Sequence, residues 1–311
     1  MKIVFMGTPD FAVESLKALF EAGHDVVGVF TQPDRPKGRG NRVEETPVKK
    51  YALANGIKVF QFEKIRRQEG LDALRALEPE LCVTAAFGQI LSKKILEVPK
   101  FGTINVHASL LPRHRGAAPI NQAIMMGDEI TGVTTMFTDV GLDTGDMLLK
   151  TETRILPDET AGELTQRLAV MGAKLLIETI AELEKGTLNP TKQDESLATY
   201  EPMMDKSAGL VDWSRSPKEI CDLVRGTNPW PGAFTYLNGD VLKIWGAKVF
   251  KTDDASEPGT VIVSSPRGGL VVSCGGGAVE ITLLQAPGGK QMPTKAYLSG
   301  KKIETGTHLG E

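Results

Sequence analysis

The chain has 311 residues and a formal net charge of −3, with 41% hydrophobic and 24% charged residues. The length predicts two domains, and the negative charge excludes a protein that coats nucleic acid through bulk positive charge. The apolar runs are far shorter than a membrane span, and no cleavage-site pattern follows the N-terminus, so we expect a soluble, cytoplasmic protein. The cysteines at 82, 221 and 274 lack disulfide or zinc spacing, which favours buried thiols.

The first half of the chain alternates strand and helix patterns. Apolar runs at 2–7 and 25–31 flank a helical pattern at 8–24, and this βαβ unit predicts a parallel sheet. The alternation continues with helices at 48–56 and 68–78 and strands at 57–61, 81–88 and 102–109. The predicted fold class is α/β, a doubly wound, mostly parallel Rossmann-like sheet. Its ligand crevice is expected at the carboxyl ends of the strands.

The second half predicts a different architecture. Residues 131–155 alternate like a hairpin around a glycine-rich loop, and 161–186 form a long amphipathic helical pattern that ends at a glycine. A polar stretch follows, and beyond it short alternating runs separated by Gly, Asn-Gly and Pro-Gly predict a small OB-like β-barrel. The expected domains are a catalytic domain at 1–187, a linker at 188–206 and the barrel at 207–311.

Asn105 and His107 are the first candidates for chemistry. They are two residues apart at the end of an apolar run, so on a strand both side chains point to one face. An amide donor beside an imidazole suits stabilisation of an oxyanion and proton transfer near neutral pH. A purely structural histidine is the alternative, and it is the commoner fate of a histidine taken alone.

A carboxylate is expected to join this pair from the segment DVGLDTGDM. Three acids compete for the role, Asp139, Asp143 and Asp146, and we choose Asp143 because it lies between two glycines that leave it unobstructed. Such a carboxylate would fix the tautomer of the imidazole. The loop lacks the closing glutamate of a Ca²⁺ loop, so no metal is expected. With no nucleophile elbow around Ser109, direct transfer between two bound substrates is favoured.

A cluster of cations follows the second predicted strand. Arg35, Lys37, Arg39 and Arg42 lie within eight residues, and the glycines between them predict a pliable loop. Such a loop can follow phosphates of a nucleic acid, although a solvated basic loop without a partner is an equally common outcome.

Five segments together carry a family resemblance: GTPDFAVESL, TQPDRPKGRG, NVHASLLPRHRGAAPINQAI, GLDTGDML and NPWPGAFT. In this order, across nearly the whole chain, they resemble the methionyl-tRNA formyltransferase family. The pattern NxHxSLLPxxRGxxP alone is shared by all transferases and hydrolases that use 10-formyltetrahydrofolate. The resemblance implies that Asn105, His107 and Asp143 are the catalytic residues. It also implies 10-formyltetrahydrofolate as formyl donor, bound along Phe87, Gly88, Gln89, Ile90, Ser109, Leu110, Leu111 and Pro112.

The resemblance also implies the acceptor. Members that act on tRNA carry the basic insertion, so the four cations are expected to grip the acceptor stem of initiator methionyl-tRNA, with the enzyme acting as a bacterial monomer. The barrel is expected to dock RNA, with Lys206 and Arg225 as candidates, although a purely stabilising barrel is the alternative. The segment NPWPGA is interpreted as a rigid turn packed by Trp230.

Other classes of protein remain in consideration. A dinucleotide enzyme is disfavoured because the first turn, GTPDFA, has one glycine where GxGxxG is expected. A hydrolase that releases formate, or a transferase acting on a nucleotide or an amino sugar, shares the central motif but not the basic insertion. A catalytically silent RNA-binding module would keep its function after loss of His107.

Overall fold

The computed structural model describes residues 1–37 and 42–310, and at Lys37 and Arg42 it describes the backbone alone. The chain divides into two compact units that alternate along the sequence. The first unit consists of Met1–Gly116, Ile130–Thr153 and Thr165–Glu201, and the second consists of Ala117–Glu129, Arg154–Leu164 and the chain from Pro202 onward. The domain boundaries expected from the sequence stay a prediction. The division into compact units is a different one, because two short segments before residue 187 belong to the second unit.

The described residues form strands and helices in the following order. The strands are β1 (Lys2–Gly7), β2 (Asp25–Thr31), β3 (Arg35–Lys37), β4 (Arg42–Glu44), β5 (Val59–Gln61), β6 (Leu81–Ala85), β7 (Thr103–His107), β8 (Arg115–Gly116), β9 (Ile130–Phe137), β10 (Met147–Arg154), β11 (Tyr200–Glu201), β12 (Ala233–Leu237), β13 (Asp240–Phe250), β14 (Val261–Ser265), β15 (Gly269–Cys274), β16 (Gly277–Gln285) and β17 (Met292–Pro293). The α-helices are α1 (Asp10–Glu21), α2 (Pro47–Ala54), α3 (Gln68–Ala76), α4 (Lys93–Leu96), α5 (Pro119–Met125), α6 (Ala161–Lys185), α7 (Pro217–Gly226) and α8 (Thr294–Gly300).

The first unit is built on a seven-stranded sheet in the order β10-β9-β7-β6-β1-β2-β5. Strands β5, β2, β1, β6 and β7 are parallel, and β9 pairs antiparallel with β7. The order runs outward from β1 in both directions, so the topological switch point lies between β1 and β6. Their carboxyl ends are where a doubly wound sheet opens its ligand crevice. The predicted α/β fold class is confirmed.

The apolar strand runs explain why this sheet lies in the interior. Residues 3–7 of β1 and all of β6 are buried, as expected for parallel strands covered on both faces. One cluster joins Phe30 of β2 and Cys82 of β6 to Leu71 and Leu74 of α3. The ring of Phe30 also stacks on Phe60 of β5 at 4.9 Å between ring centroids. This packing fixes the ends of β1 and β6 from which the loops of the crevice depart.

The second unit contains an antiparallel sheet in the order β12-β13-β16-β15-β14, with β17 added beside β16. This arrangement is compatible with the predicted small barrel. Helix α7 packs on it, contributing Ile220 and Val224 to the apolar core. The start of α7 is fixed by a capping box, in which the Ser216 hydroxyl accepts from the amide of Glu219 while the Glu219 carboxylate accepts from the amide of Ser216.

The cysteines are free thiols. Cys82 and Cys274 are buried, whereas Cys221 is only partly so. Burial raises the pKa of Cys274 to about 11, and burial together with the charge of Asp222 raises the pKa of Cys221 to about 11. Both thiols therefore stay protonated at neutral pH, as expected for structural cysteines. Within the described part of the chain, no helix combines the length and the hydropathy needed to cross a lipid bilayer.

Two polar segments differ from the sequence-based expectation. The described residues of the predicted basic loop form two short antiparallel strands, β3 and β4, here called the basic hairpin, with Arg35 opposite Glu44. The linker was expected at 188–206; residues 187–201, here called the connecting segment, belong to the first unit, and the chain from Pro202 belongs to the second. The connecting segment bridges to β10 at Thr191 and pairs β11 parallel to β8. Backbone pairing of this kind has no hydrophobic periodicity, so a pattern search could not find it.

Gly132 tests the packing of the first sheet, because an added Cβ there would lie 2.0 Å from the backbone oxygen of Thr151. We expect Gly132→Ala to force the backbone apart and to lower the free energy of unfolding by roughly 2 kcal/mol, in the range for overpacking. Gly300→Ala is the control, since its Cβ meets open space. Thermal and urea unfolding of both variants measure the difference, and equal stability would contradict the close approach.

Candidate functional site

The candidate site begins at the carboxyl ends of β6 and β7, where Thr84 and Asn105 are neighbours in the parallel ladder. The Thr84 hydroxyl donates to Oδ1 of Asn105 at 2.8 Å. Because this bond occupies the amide oxygen, the Asn105 Nδ2 group keeps both of its donors for another partner. The side chain of Asn105 is partly exposed, so that partner can come from outside the protein.

His107 lies two residues further along β7 and is 6% exposed. Its Nε2 lies 2.8 Å from the backbone oxygen of His114. A carbonyl oxygen can only accept, so Nε2 must carry a hydrogen and donate it. This bond leaves Nδ1 as the ring nitrogen that is free to exchange a proton.

Asp143 is the carboxylate that faces this nitrogen. Its Oδ2 lies 3.7 Å from Nδ1 of His107 and accepts a hydrogen bond of 2.8 Å from the amide of Gly116. The structure therefore brings His107 and Asp143 together, as predicted. The expectation that the carboxylate fixes the tautomer is not met, because the His114 carbonyl does so from the other side of the ring.

The other two acids of the loop have different surroundings. The Asp139 carboxylate accepts from the amide of Gly141 at 2.9 Å and from the hydroxyl of Thr144 at 2.7 Å, so it shapes the loop from within. Asp146 contributes its backbone oxygen to Phe137 beside the sheet. Of the three acids, Asp143 is the one that the structure shows in contact with the imidazole. Its role in the chemistry stays a prediction.

A second histidine supports the first, and sequence reasoning missed it. Nδ1 of His114 donates to Oε1 of Glu201 at 2.9 Å, and both side chains are 4% exposed. The Thr199 hydroxyl donates to the same carboxylate at 3.0 Å and accepts from the amide of His114 at 2.8 Å. Through these bonds, Glu201 and Thr199 hold the residue whose carbonyl orients His107. Only the closeness of two histidines in one motif could have indicated this role.

The residues predicted to contact the folate begin with the loop after β6. The Phe87 side chain is buried in the core, and the Gln89 amide bonds to the amide of Ile65 and the carbonyl of Phe62, each at 2.7 Å. Gly88 has a φ of +76° and is exposed, and Ile90 is 71% exposed. The Gly88 carbonyl accepts from Nε2 of Gln32 at 2.8 Å, so at this residue the exposed surface is only partly free of protein partners. The side chain of Ile90 is available to a ligand, whereas the side chains at 87 and 89 build the loop.

The segment from Ser109 to Pro112 shows a similar division. Ser109 is fully buried, and its hydroxyl donates to the backbone oxygen of Arg113 at 2.7 Å. Leu111 is also buried, and its amide donates to the Thr134 hydroxyl at 3.1 Å. Leu110 and Pro112 are partly exposed. Ser109 and Leu111 therefore give the segment its shape, and Leu110 and Pro112 are the side chains that a ligand could reach.

The cations predicted to bind RNA are only partly within the structure. Arg35 is 64% exposed and donates to Glu63 at 2.9 Å. Arg39 lies outside the described residues, as do the side chains of Lys37 and Arg42. Lys206 is exposed at the start of a short 3-10 helix in the second unit.

Two expectations for the second unit fail. The Arg225 side chain is only 15% exposed and donates to Asp222 at 2.9 Å, with further bonds to backbone oxygens, so it braces the unit rather than facing outward. Trp230 was expected to pack its turn, but it is 54% exposed. Gly232, with a φ of +83°, lies instead against the ring of Trp245. The sequence around Trp230 does not indicate that the ring of Trp245, and not that of Trp230, packs against this turn.

Among the residues that the structure describes, no group of three or more histidine, cysteine, aspartate or glutamate side chains is arranged to hold a metal ion.

Comparison with solved structures shows the same fold in other proteins. An N-formyltransferase from Helicobacter canadensis, in complex with folinic acid and dTDP-3-aminofucose, is 19% identical, with a TM-score of 0.66 over 90% of this chain and 98% of that chain. HypX from Aquifex aeolicus, in complex with tetrahydrofolic acid, is 17% identical, with a TM-score of 0.63 over 98% of this chain and 50% of that chain.

Sequence comparison identifies the family. The formyl transferase model matches residues 1–180, and the model of the formyl transferase C-terminal domain matches residues 203–302. A methionyl-tRNA formyltransferase from Ruminiclostridium cellulolyticum is 49% identical over the full length of both chains. Another from Geotalea daltonii is 51% identical over 100% of this chain and 98% of its own. The chain therefore belongs to the methionyl-tRNA formyltransferase family.

Proposed function

We propose that this protein transfers the formyl group of 10-formyltetrahydrofolate to the α-amino group of methionine on initiator methionyl-tRNA. The proposal has one main support. A polar trio made by Asn105, His107 and Asp143 lies at the sheet crevice of a chain that is about half identical, end to end, to relatives of that name. We also propose that the enzyme acts as a monomer in the bacterial cytoplasm.

The donor is bound along the two loops that leave β6 and β7. Exposed Ile90, with partly exposed Leu110 and Pro112, offers apolar contacts to the flat rings of a folate. The exposed backbone of Gly88, whose carbonyl also accepts from Gln32 at 2.8 Å, is assigned to the pterin edge. The donor supplies the one-carbon unit, and the protein supplies its orientation beside the trio.

The chemistry follows from the donors left free. The amine nitrogen attacks the formyl carbon, and the carbonyl oxygen gains negative charge, which the Nδ2 donors of Asn105 stabilise. The new C–N bond is retained while the bond from carbon to the folate N10 breaks. The amine loses one proton and N10 gains one. Nδ1 of His107 carries this proton or assists the oxyanion, and Asp143, 3.7 Å away, stabilises the charged ring.

The acceptor is bound through cations. We assign the four cations of the basic segment, Arg35, Lys37, Arg39 and Arg42, to the phosphates of the acceptor stem. Lys206 adds a contact from the second unit. Backbone phosphates attract such side chains without regard to sequence, so this interaction supplies affinity, and its strength falls with salt.

The proposed function is tested directly with labelled 10-formyltetrahydrofolate and either methionyl-tRNA or free methionine as the acceptor. We expect label on the aminoacylated RNA alone. Label released as formate would indicate a hydrolase, and binding of the RNA without transfer would indicate a silent RNA-binding module.

Substitutions at His107 test which ring nitrogen acts. His107→Ala should lower kcat by roughly 100-fold or more while affinity for the tRNA stays near that of the wild type, as for loss of a group that moves protons. His107→Asn places an amide near the Nδ1 position, and His107→Gln places one near Nε2. We expect His107→Asn to keep the greater activity in single-turnover assays, and the opposite ranking would assign the chemistry to Nε2.

Thr84 tests the orientation of Asn105. Thr84→Val removes the hydroxyl that fixes Oδ1, so the amide is free to turn over and we expect kcat to fall by about 10-fold. Thr84→Ser keeps the hydroxyl and should keep most of the activity. Equal kcat values for the two variants would show that the Asn105 orientation does not depend on this bond.

The basic hairpin is tested by salt dependence. Replacing Arg39 and Arg42 with alanine should weaken binding of methionyl-tRNA and reduce the slope of log K against log salt by roughly 1 to 2. Lys17→Ala with Lys94→Ala is the control, because it removes the same charge from exposed positions elsewhere in the first unit. If both double variants behaved alike, the effect would be one of net charge rather than of the hairpin.

A further inference from the structure

Gln193, in the connecting segment, has every hydrogen-bonding group of its side chain occupied. Its Nε2 donates to the backbone oxygens of Asp143 and Gly145, each at 2.8 Å. Its Oε1 accepts from Nε and Nη2 of Arg115, at 3.0 and 2.9 Å. One amide therefore joins the connecting segment to the loop that carries the Asp143 carboxylate.

Arg115 determines which way this amide points. The guanidinium is fully buried and can only donate, so it must face the oxygen of Gln193 and leave the nitrogen toward the loop. The rest of the guanidinium binds both oxygens of Glu195, at 2.9 and 2.7 Å, and the hydroxyl of Tyr200 at 2.6 Å. Its position is thus fixed by three residues of one short segment.

The loop needs such support because its backbone is strained. Asp143 has a φ of +54°, in the left-handed region that residues other than glycine adopt infrequently. Such a conformation persists only where surrounding contacts determine it. The two carbonyls that Gln193 binds are that of Asp143 itself and that of Gly145, two residues later. The amide of Gly116, next to Arg115, binds the carboxylate itself at 2.8 Å.

We infer that Gln193, oriented by Arg115, is a positioning residue for the formyl transfer: it clamps the backbone of the Asp143 loop and so holds the carboxylate against Nδ1 of His107. The inference rests on the proposed function, because it assigns the clamp to that reaction. Gln193 touches no substrate in this account, and its effect reaches the reaction through Asp143.

Gln193→Glu is the decisive variant. It keeps an oxygen for Arg115 but puts a second oxygen against two carbonyl oxygens, so both bonds to the loop are lost. We expect kcat to fall by roughly 10-fold to 100-fold, as for a misplaced catalytic group, with KM for donor and tRNA within about 2-fold of the wild type. Lys192→Gln, the exposed neighbouring position, is the control and should keep the wild-type kcat.

A double-mutant cycle separates positioning from general stability. If Gln193 acts through Asp143, adding Gln193→Glu to Asp143→Asn should lower kcat by less than about 2-fold further, because the carboxylate is already gone. A full additional loss in the double variant would overturn the inference. An unchanged kcat in Gln193→Glu would overturn it as well.

Hydrogen exchange provides a readout that needs no activity. Amides of residues 139–146 should exchange faster in Gln193→Glu, whereas amides of β1 and β6 should keep the wild-type rate. Unaltered exchange in the loop would overturn the clamp. A wild-type protein that transferred no formyl group would refute the proposed function instead, and the exchange result would still report on the clamp.

Discussion

The hydrogen bond from Nε2 of His107 to the carbonyl of His114 determines what the site can do. It binds one ring nitrogen to the protein, so the other is the one that faces the Asp143 carboxylate. A histidine with both nitrogens free could present either tautomer. This bond selects one, and it leaves Nδ1 as the nitrogen that faces Asp143 at 3.7 Å.

That bond depends in turn on a buried polar layer. His114 has a φ of +57°, its ring is paired with Glu201, and its amide is held by Thr199. Gly116 beside it has a φ of +104°, and a Cβ there would lie 2.4 Å from the backbone oxygen of Glu201. Only glycine allows β8 and β11 to come so close. The carbonyl that orients His107 is therefore held in place by Thr199 and Glu201, roughly 90 positions further along the chain.

The sequence predicted the strands and helices in which apolar residues recur with a regular spacing. Apolar runs located β1, β2, β6 and β7, and the spacing of two placed Asn105 and His107 on one face. Asp143 could be chosen only by its glycines, because the hydrogen bonds that occupy Asp139 lie within the loop and leave no pattern. Gln193 could not be found at all, since its partners are about 50 to 80 residues away and its segment has no periodicity. Trp230 was misjudged because an apolar residue in a turn indicates packing only when its surroundings are known.

The parallel pairing of β11 with β8 has a consequence for recombination of such proteins. A chimera that takes its C-terminal part from another relative must be joined after Glu201 to keep this pairing intact. A junction at the end of α6 would exchange Thr199 and Glu201 for foreign side chains, and the imidazole of His107 would lose its reference point although no residue of the trio had changed. The connecting segment must therefore come from the same parent as β7 and β8.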